Sequence, residues 1–240
     1  MAYYMIHCCP ERLWYVKDFL LPSMLEQGID GSHIFIYNDK NKIGNLRAWV
    51  DSCNRLAKLS DDKNIGHVWH LQDDVVISKN FKKVTEEYSI QPLAIICGFT
   101  CCYDDKPLVG IYELAEQKLW YSFPCIRLST ELTTKFAEWA NVNLWQSKHF
   151  ASAVRRNNCD DLIFKEWLYD NYEELHELNL SPNLVNHIDK WIGGSQCNKQ
   201  RSDDQDTMSA FWIDNGELET LEKKLKDYKN KDKIPKEKIL

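Results

Sequence analysis

The chain has 240 residues, with 30 Lys and Arg against 36 Asp and Glu, for a formal net charge of −6. Hydrophobic residues make up 44%, enough to bury a core, which excludes a wholly disordered chain; the length fits one domain, or one domain with a short appendage. The acidic balance excludes a protein whose whole surface grips nucleic acid and leaves room for a local basic groove.

Residues 3–8 (YYMIHC) predict a short strand. From Glu11 to Gln27 apolar residues recur at helical spacing (Leu13, Val16, Phe19, Leu20, Met24, Leu25), and Gly28 supplies the C-terminal stop. Residues 33–37 (HIFIY) predict a second strand, closed by the turn residues Asn38-Asp39-Lys40-Asn41; Asn45–Leu59 returns to helical periodicity through Leu46, Trp49, Val50, Cys53 and Leu56. Residues 67–71 (HVWHL) and 93–99 (LAIICGF) are further strands, the latter nearly continuous in apolar residues, as a strand covered on both faces should be. Helices follow over Ser129–Trp139, N-capped by Ser129 or Thr130, and over Asp160–Asn171. The Lys-rich segment after Glu217 reads either as a solvated helix fraying into a tail or as a basic contact arm. Strand and helix in alternation specify an α/β domain, a mostly parallel sheet flanked by helices, with ligands at the carboxyl ends of the strands. We place this single domain at 1–215 and a charged C-terminal helix or tail at 216–240.

Nine cysteines, with no C-x-x-C pair, support neither a disulfide framework nor a zinc site; Cys53, Cys97, Cys125 and Cys159 read as small buried hydrophobes kept reduced. No run approaches the roughly 18 apolar residues of a membrane span, and the N-terminus lacks the basic-then-apolar order of a signal peptide, so the expected location is cytoplasmic, with no membrane partner.

The segment His67–Ser78 (HVWHLQDDVVIS) carries the most chemical information: an apolar strand runs into two adjacent carboxylates, Asp73 and Asp74, and returns to apolar residues. Buried without partners such acids are costly, so they call for a cation or a set of donors, unless they form an acidic turn ahead of a helix around 80–88. Mn2+ or Mg2+ takes oxygen ligands of this kind, and a bound diphosphate can complete the shell. His187, after an apolar pair, is either a satisfied core histidine or a ligand; Gly193-Gly194-Ser195 nearby frees backbone N–H groups for phosphate oxygens. Asp160 and Asp161 at a helix start serve as caps or as a base. Glycine-rich mononucleotide fingerprints are absent, which removes support for P-loop and Rossmann cofactor sites.

The run Gln72-Asp73-Asp74, apolar triplet, Ser78, Phe81 resembles the D-x-D or E-D-D element of GT-A glycosyltransferases. That resemblance implies Asp74 as metal ligand and Asp73 on the ribose or sugar of the donor. Ser181–Ile188 (SPNLVNHI), followed by Gly193-Gly194-Ser195, is similar to the P-x-L-V-x-H-I-G … S stretch of several members, which implies His187 at the metal or diphosphate with Gly194 and Ser195 beside it. Asn158–Trp167 resembles the acceptor-side helix start of inverting members, implying Asp161 as catalytic base and Asp160 as cap, or the reverse. His7 after the first strand, Asp39 ending the second, and Arg47 after Gly44-Asn45 match positions that contact the nucleoside. The resemblance spans about residues 3–197.

It implies a metal-dependent, UDP-sugar-using hexosyltransferase that inverts configuration as it moves the sugar to an acceptor hydroxyl. The opening H-C-C-P-E-R-L-W-Y-V resembles small bacteriophage-encoded members, which brings in a hydroxymethylated DNA base as acceptor, with Lys79, Lys82, Lys83, Arg155, Arg156 and the tail facing phosphates. A cytosolic polysaccharide precursor or a protein is the alternative acceptor. A non-catalytic nucleotide- or sugar-binding module and a nucleotidyltransferase are the rival classes, and nothing in the sequence fixes an oligomeric state.

Overall fold

Strand β1 (Tyr4–Cys8) is buried along its length except at His7, as its apolar residues require. We describe the protein from a computed structural model covering residues 1–91, 94–99, 110–113, 123–144, 160–172, 177–188, 191–193 and 215–230. After β1 come a 3-10 turn over Pro10–Arg12, helix α1 (Leu13–Tyr15), a π-helical turn over Val16–Leu20 and helix α2 (Leu21–Glu26). The single regular helix expected over 11–27 is therefore broken. Pro22 has no N–H to return to the carbonyl four residues back, and the widened π turn lies immediately ahead of it. Gly28 stops the helix as expected, with φ +79°, a left-handed conformation that costs any residue with a Cβ.

The chain continues through β2 (Ile34–Asn38), α3 (Asn45–Lys63), β3 (His67–Gln72), β4 (Val75–Ile77), α4 (Phe81–Tyr88), β5 (Ile95–Cys97), β6 (Gly110–Glu113) and β7 (Cys125–Ser129). Then follow α5 (Thr130–Asn143), α6 (Asp160–Asn171), β8 (Glu177–Ser181), β9 (Val185–His187) and α7 (Glu217–Asn230). Ser129 is the N-cap of α5, its hydroxyl accepting from Leu132 N at 3.2 Å. Seven strands form one sheet in the order β2-β1-β3-β7-β5-β8-β6; β4 and β9 form a separate antiparallel ribbon. β1 lies parallel to β2 and β3, and β5 parallel to β8, while β7 and β6 run against their neighbours. The mostly parallel sheet expected from the sequence is present, with one reversed strand, β7, inside it and another, β6, at its edge.

Both faces of the sheet are covered. On one, Trp49 and Cys53 of α3, Phe136 of α5, and Phe164 and Trp167 of α6 close over Ile95, Cys97, Ile126 and Leu128. On the other, Tyr15, Leu20, Met24, Phe81 and the β4–β9 ribbon cover Tyr4, Ile6, Trp69 and Leu71. The C-terminal helix belongs to this second layer: Leu221 and Leu225 of α7 are buried in it, and Tyr228 stacks on Trp14 with centroids 5.3 Å apart. One face of α7 is thus packed rather than solvated. Cys8, Cys9, Cys53, Cys97 and Cys125 are free thiols, and Cys159 lies outside the described residues. No helix among the described residues is long and apolar enough to cross a membrane.

Arg127, in the middle of β7, is fully buried, and its guanidinium donates to the carbonyls of Tyr88 and Gln91 beyond α4, the latter at 3.0 Å. Burial lowers its pKa to about 10, so it remains charged at neutral pH.

Gly98, just after β5, has no room for a side chain: a Cβ there would stand 2.7 Å from Cys125 Sγ and 3.2 Å from Leu184 Cδ1. Gly98→Ala should therefore destabilise the fold by about 1–3 kcal/mol through overpacking, read as a lowered midpoint in denaturant. Adding Cys125→Ala should recover part of that loss; strictly additive effects of the two substitutions would contradict the packing account.

Candidate active site

The register of β1 against β3 pairs His7 with Gln72, so the two strands end side by side and the turn after one meets the turn after the other. Cys9, past the end of β1, donates its backbone N–H to Asp73 Oδ2 at 2.7 Å. The 3-10 turn then delivers Arg12, whose Nη1 lies 3.1 Å from Asp73 Oδ1 and also hydrogen-bonds Asp74 Oδ2. The third approach comes from the ribbon. β4 pairs antiparallel with β9, Val75 opposite His187, and this sets His187 Nε2 3.1 Å from Asp74 Oδ2. Ile188 N–H donates to the Asp74 carbonyl at 2.8 Å, and Tyr15 Oη donates to the Val75 carbonyl at 2.8 Å, fixing the turn between β3 and β4.

Arg12, Asp73 and Asp74 are each 6% exposed or less, so the field among them is little screened by water. Burial and the adjacent Asp74 raise the Asp73 pKa, against the pull of Arg12 and the Cys9 amide. Burial acts the same way on Asp74, but there His187 and Arg12 outweigh it and hold the carboxyl well below the usual range. Burial would lower the Arg12 pKa; Asp74 and Asp73 more than reverse that. Of the four carboxylate oxygens, Asp74 Oδ1 alone is buried with no hydrogen-bond partner.

As they stand, these residues do not make a site for Mn2+ or Mg2+. Such ions take about six ligands, mostly oxygens, and Mg2+ demands distances near 2.1 Å. Among the described residues no group of three or more His, Cys, Asp or Glu is placed to hold a metal ion. The Asp73–Asp74–His187 grouping expected from the sequence is brought together, but around a guanidinium.

On the opposite face of the sheet, His7 Nε2 lies 2.9 Å from His70 Nδ1, and Trp49 packs on both imidazoles with centroids 4.8 and 5.0 Å away. Burial lowers the His7 pKa to about 3 and that of His70 well below its ordinary value, so both rings are neutral at physiological pH. His70 Nε2 and Trp49 Nε1 are buried with no hydrogen-bond partner. Phe164 of α6 meets Trp49 edge-on at 5.9 Å, and one turn earlier Asp160 and Asp161 open α6. Burial and the charge of Asp161 lift the Asp160 pKa to about 7. A carboxylate at a helix N-terminus ordinarily favours ionisation, so burial dominates here.

Asp39 stands beside Cys8, donating its N–H to the Cys8 carbonyl at 2.9 Å, while its carboxylate accepts from Ile43 N at 3.0 Å and Gly44 N at 3.2 Å. That carboxylate thus closes the loop into α3. Arg47 is exposed on the first turn of α3. Gly194, Ser195, Arg155 and Arg156 lie outside the described residues. Lys79 is engaged with the start of α7: its Nζ donates to the Asn215 carbonyl at 2.7 Å and its N–H to Glu217 Oε1 at 3.1 Å. The sequence did not reveal Arg12 as the partner of the two acids, nor His70 and Trp49 as neighbours of His7. For Arg12 the available signal was a cation two residues after a proline at a strand end.

No protein-family model matches the chain, and no curated protein matches it by sequence. Solved structures similar to it include A197 from STIV, at 14% identity and a TM-score of 0.44, covering 78% of this chain and 85% of that one. Another is a glycosyltransferase involved in the glycosylation of the major capsid of PBCV-1, at 10% identity and a TM-score of 0.39, covering 64% of this chain and 74% of that one. Likenesses this distant assign no activity, and the functional reading rests on the site.

Asp74→Asn removes the charge that both Arg12 and His187 face, and breaking a buried pair in this way should cost about 3–5 kcal/mol. The folded pKa of Asp74 is depressed, so its stabilisation is present above the unfolded value of about 3.9 and is lost as pH falls below it. The wild type should therefore lose stability on acidification below about pH 4, and the variant should show a flatter acid limb in pH-dependent denaturant melts.

Proposed function

We propose that this protein is a glycosyltransferase that moves a sugar from a nucleotide-sugar, of the UDP-sugar class, to an acceptor hydroxyl. The observation that carries the reading is the convergence of Asp73, Asp74, His187 and Arg12 at the carboxyl ends of β1 and β3, with Asp74 Oδ1 buried and without a hydrogen-bond partner. In an α/β sheet that edge is where a ligand is received. Three buried ionisable groups and a largely buried histidine exceed what a strand-to-strand turn needs for folding, and perturbed groups of this kind mark functional sites.

The base in this reading is Asp160 rather than Asp161. A general base works best with a pKa near the operating pH, and Asp160, raised to about 7, meets that condition. It takes the proton of the acceptor hydroxyl as that oxygen bonds to the anomeric carbon. The bond from that carbon to the diphosphate oxygen breaks on the opposite side, its electron pair leaves with the nucleotide, and configuration inverts. Asp161, by raising that pKa, makes ionised Asp160 a stronger proton acceptor. Of the neutral rings beside the strand end, His70 and Trp49 are buried and only His7 is partly exposed, so His7 is the one within reach of the nucleoside in this reading.

The acceptor is sought among hydroxymethylated DNA, polysaccharide precursors and proteins. Incubation with UDP- and GDP-sugars should release nucleotide by slow hydrolysis, and faster once the acceptor is supplied. NMR of the product should show inverted anomeric configuration; retention would overturn the one-base mechanism.

The rate should rise with pH through about 7, because the base must be ionised to accept a proton. Asp160→Asn should lower transfer by about 10²–10⁴-fold while nucleotide binding persists. The folded pKa of Asp160 is raised, so ionising it opposes folding between about pH 4 and 7, and stability falls as pH rises through that window. The same variant should therefore melt higher than the wild type at pH 8. Undiminished transfer in it would sink the catalytic assignment and favour the non-catalytic binding module.

A further inference from the structure

We infer that Arg12 is the resident cation of the acid pair: its guanidinium takes the place between Asp73 and Asp74 that a divalent ion would need, so the site works with a fixed organic charge instead of a bound metal. One nitrogen, Nη1, contacts both carboxylates, on Asp73 Oδ1 at 3.1 Å and on Asp74 Oδ2. The other oxygen of Asp73 is taken by the Cys9 amide at 2.7 Å, and His187 shares Asp74 Oδ2 at 3.1 Å.

The guanidinium is also held in place. Its side chain is 5% exposed, and its backbone N–H returns to the Cys9 carbonyl at 3.1 Å, closing the 3-10 turn that Pro10 opens. Arginine does not lose its proton in proteins, so this charge is constant across the pH range in which the site operates. A divalent ion entering between the two acids would leave a buried guanidinium without its counter-charges. Arg12 therefore acts as a positioning residue that holds the acids together and excludes metal. Asp74 Oδ1 is left buried with no hydrogen-bond partner.

The inference concerns the acid pair on which the glycosyltransferase reading rests, but its test contains no nucleotide-sugar, so either can fail without the other. Mn2+ is titrated into the purified protein, with the electron paramagnetic resonance signal of free Mn2+ and the melting temperature as readouts. The wild type should leave the signal undiminished and its melting temperature unchanged. Arg12→Gln, which vacates the cation position and leaves both acids, should bind Mn2+ at least about tenfold more tightly, the scale on which partners around a ligand set alter metal affinity. Mn2+ should raise the melting temperature of that variant, and a further Asp74→Asn should abolish both effects. One-to-one binding of Mn2+ by the wild type that Asp74→Asn removes would overturn the proposal, as would an Arg12→Gln variant that binds no better than the wild type. If Arg12→Gln folds only when Mn2+ is present, the refolding yield gives the supporting result. If it folds in neither condition, Arg12→Lys keeps the charge and should exclude Mn2+ as the wild type does; binding by that variant would overturn the proposal.

Discussion

Two carboxylates buried side by side at the end of β3 set the terms for everything around them. Neither tolerates burial alone, and adjacent in sequence they repel one another. The protein answers with charge and donors from two separate places: the Arg12 guanidinium and the Cys9 amide from the β1 end, and His187 from the β4–β9 ribbon. The effect on the two acids is unequal. Asp74, with Arg12 and His187 against it, is held well below the usual range, while Asp73 is pushed the other way by burial. Such asymmetry between neighbouring acids is characteristic of sites that bind or react.

The fold makes this convergence possible because parallel strands end together. β1 and β3 are adjacent and parallel, so the turns that leave them emerge at the same edge of the sheet. The ribbon supplies what a parallel sheet lacks, a strand arriving from the far end of the sequence: Val75 opposite His187 places a side chain from beyond β8 against the turn after β3. The broken helix after β1 serves the same end, since the 3-10 turn sets Arg12 and α1 sets Tyr15 against the Val75 carbonyl. The packing of α7 on this layer through Leu221 and Leu225 makes the C-terminal helix part of the scaffold behind the site.

The opposite face is polar in a different way. His7 and His70 hydrogen-bond each other as neutral rings under Trp49, and Trp49 carries the contact on to Phe164 of α6. The helix that bears Asp160 is thereby keyed to the same strand ends as the acid pair, from the other side of the sheet. An ionic cluster thus lies on one face of the sheet and an uncharged aromatic cluster on the other.

The sequence by itself determined the local features. The first strand, the Gly28 stop, the start of α3 at Asn45, the strand leading into Asp73 and the limits of α6 at Asp160 and Asn171 were all legible, because periodicity and caps are written within a few residues. That Asp73 and Asp74 needed partners was legible too, from the cost of burying charge. β7 was not, because Arg127 interrupts its apolar run, and its burial is compensated from elsewhere in the chain, by two carbonyls near the end of α4 among its partners. The ribbon strands are three residues each and carry too short a pattern to read. Which cation meets the acids was decided only by tertiary structure. Arg12 lies sixty-one residues from Asp73, and no local pattern records that parallel pairing of β1 with β3 ends both strands at the same place, leaving the guanidinium where its charge is required.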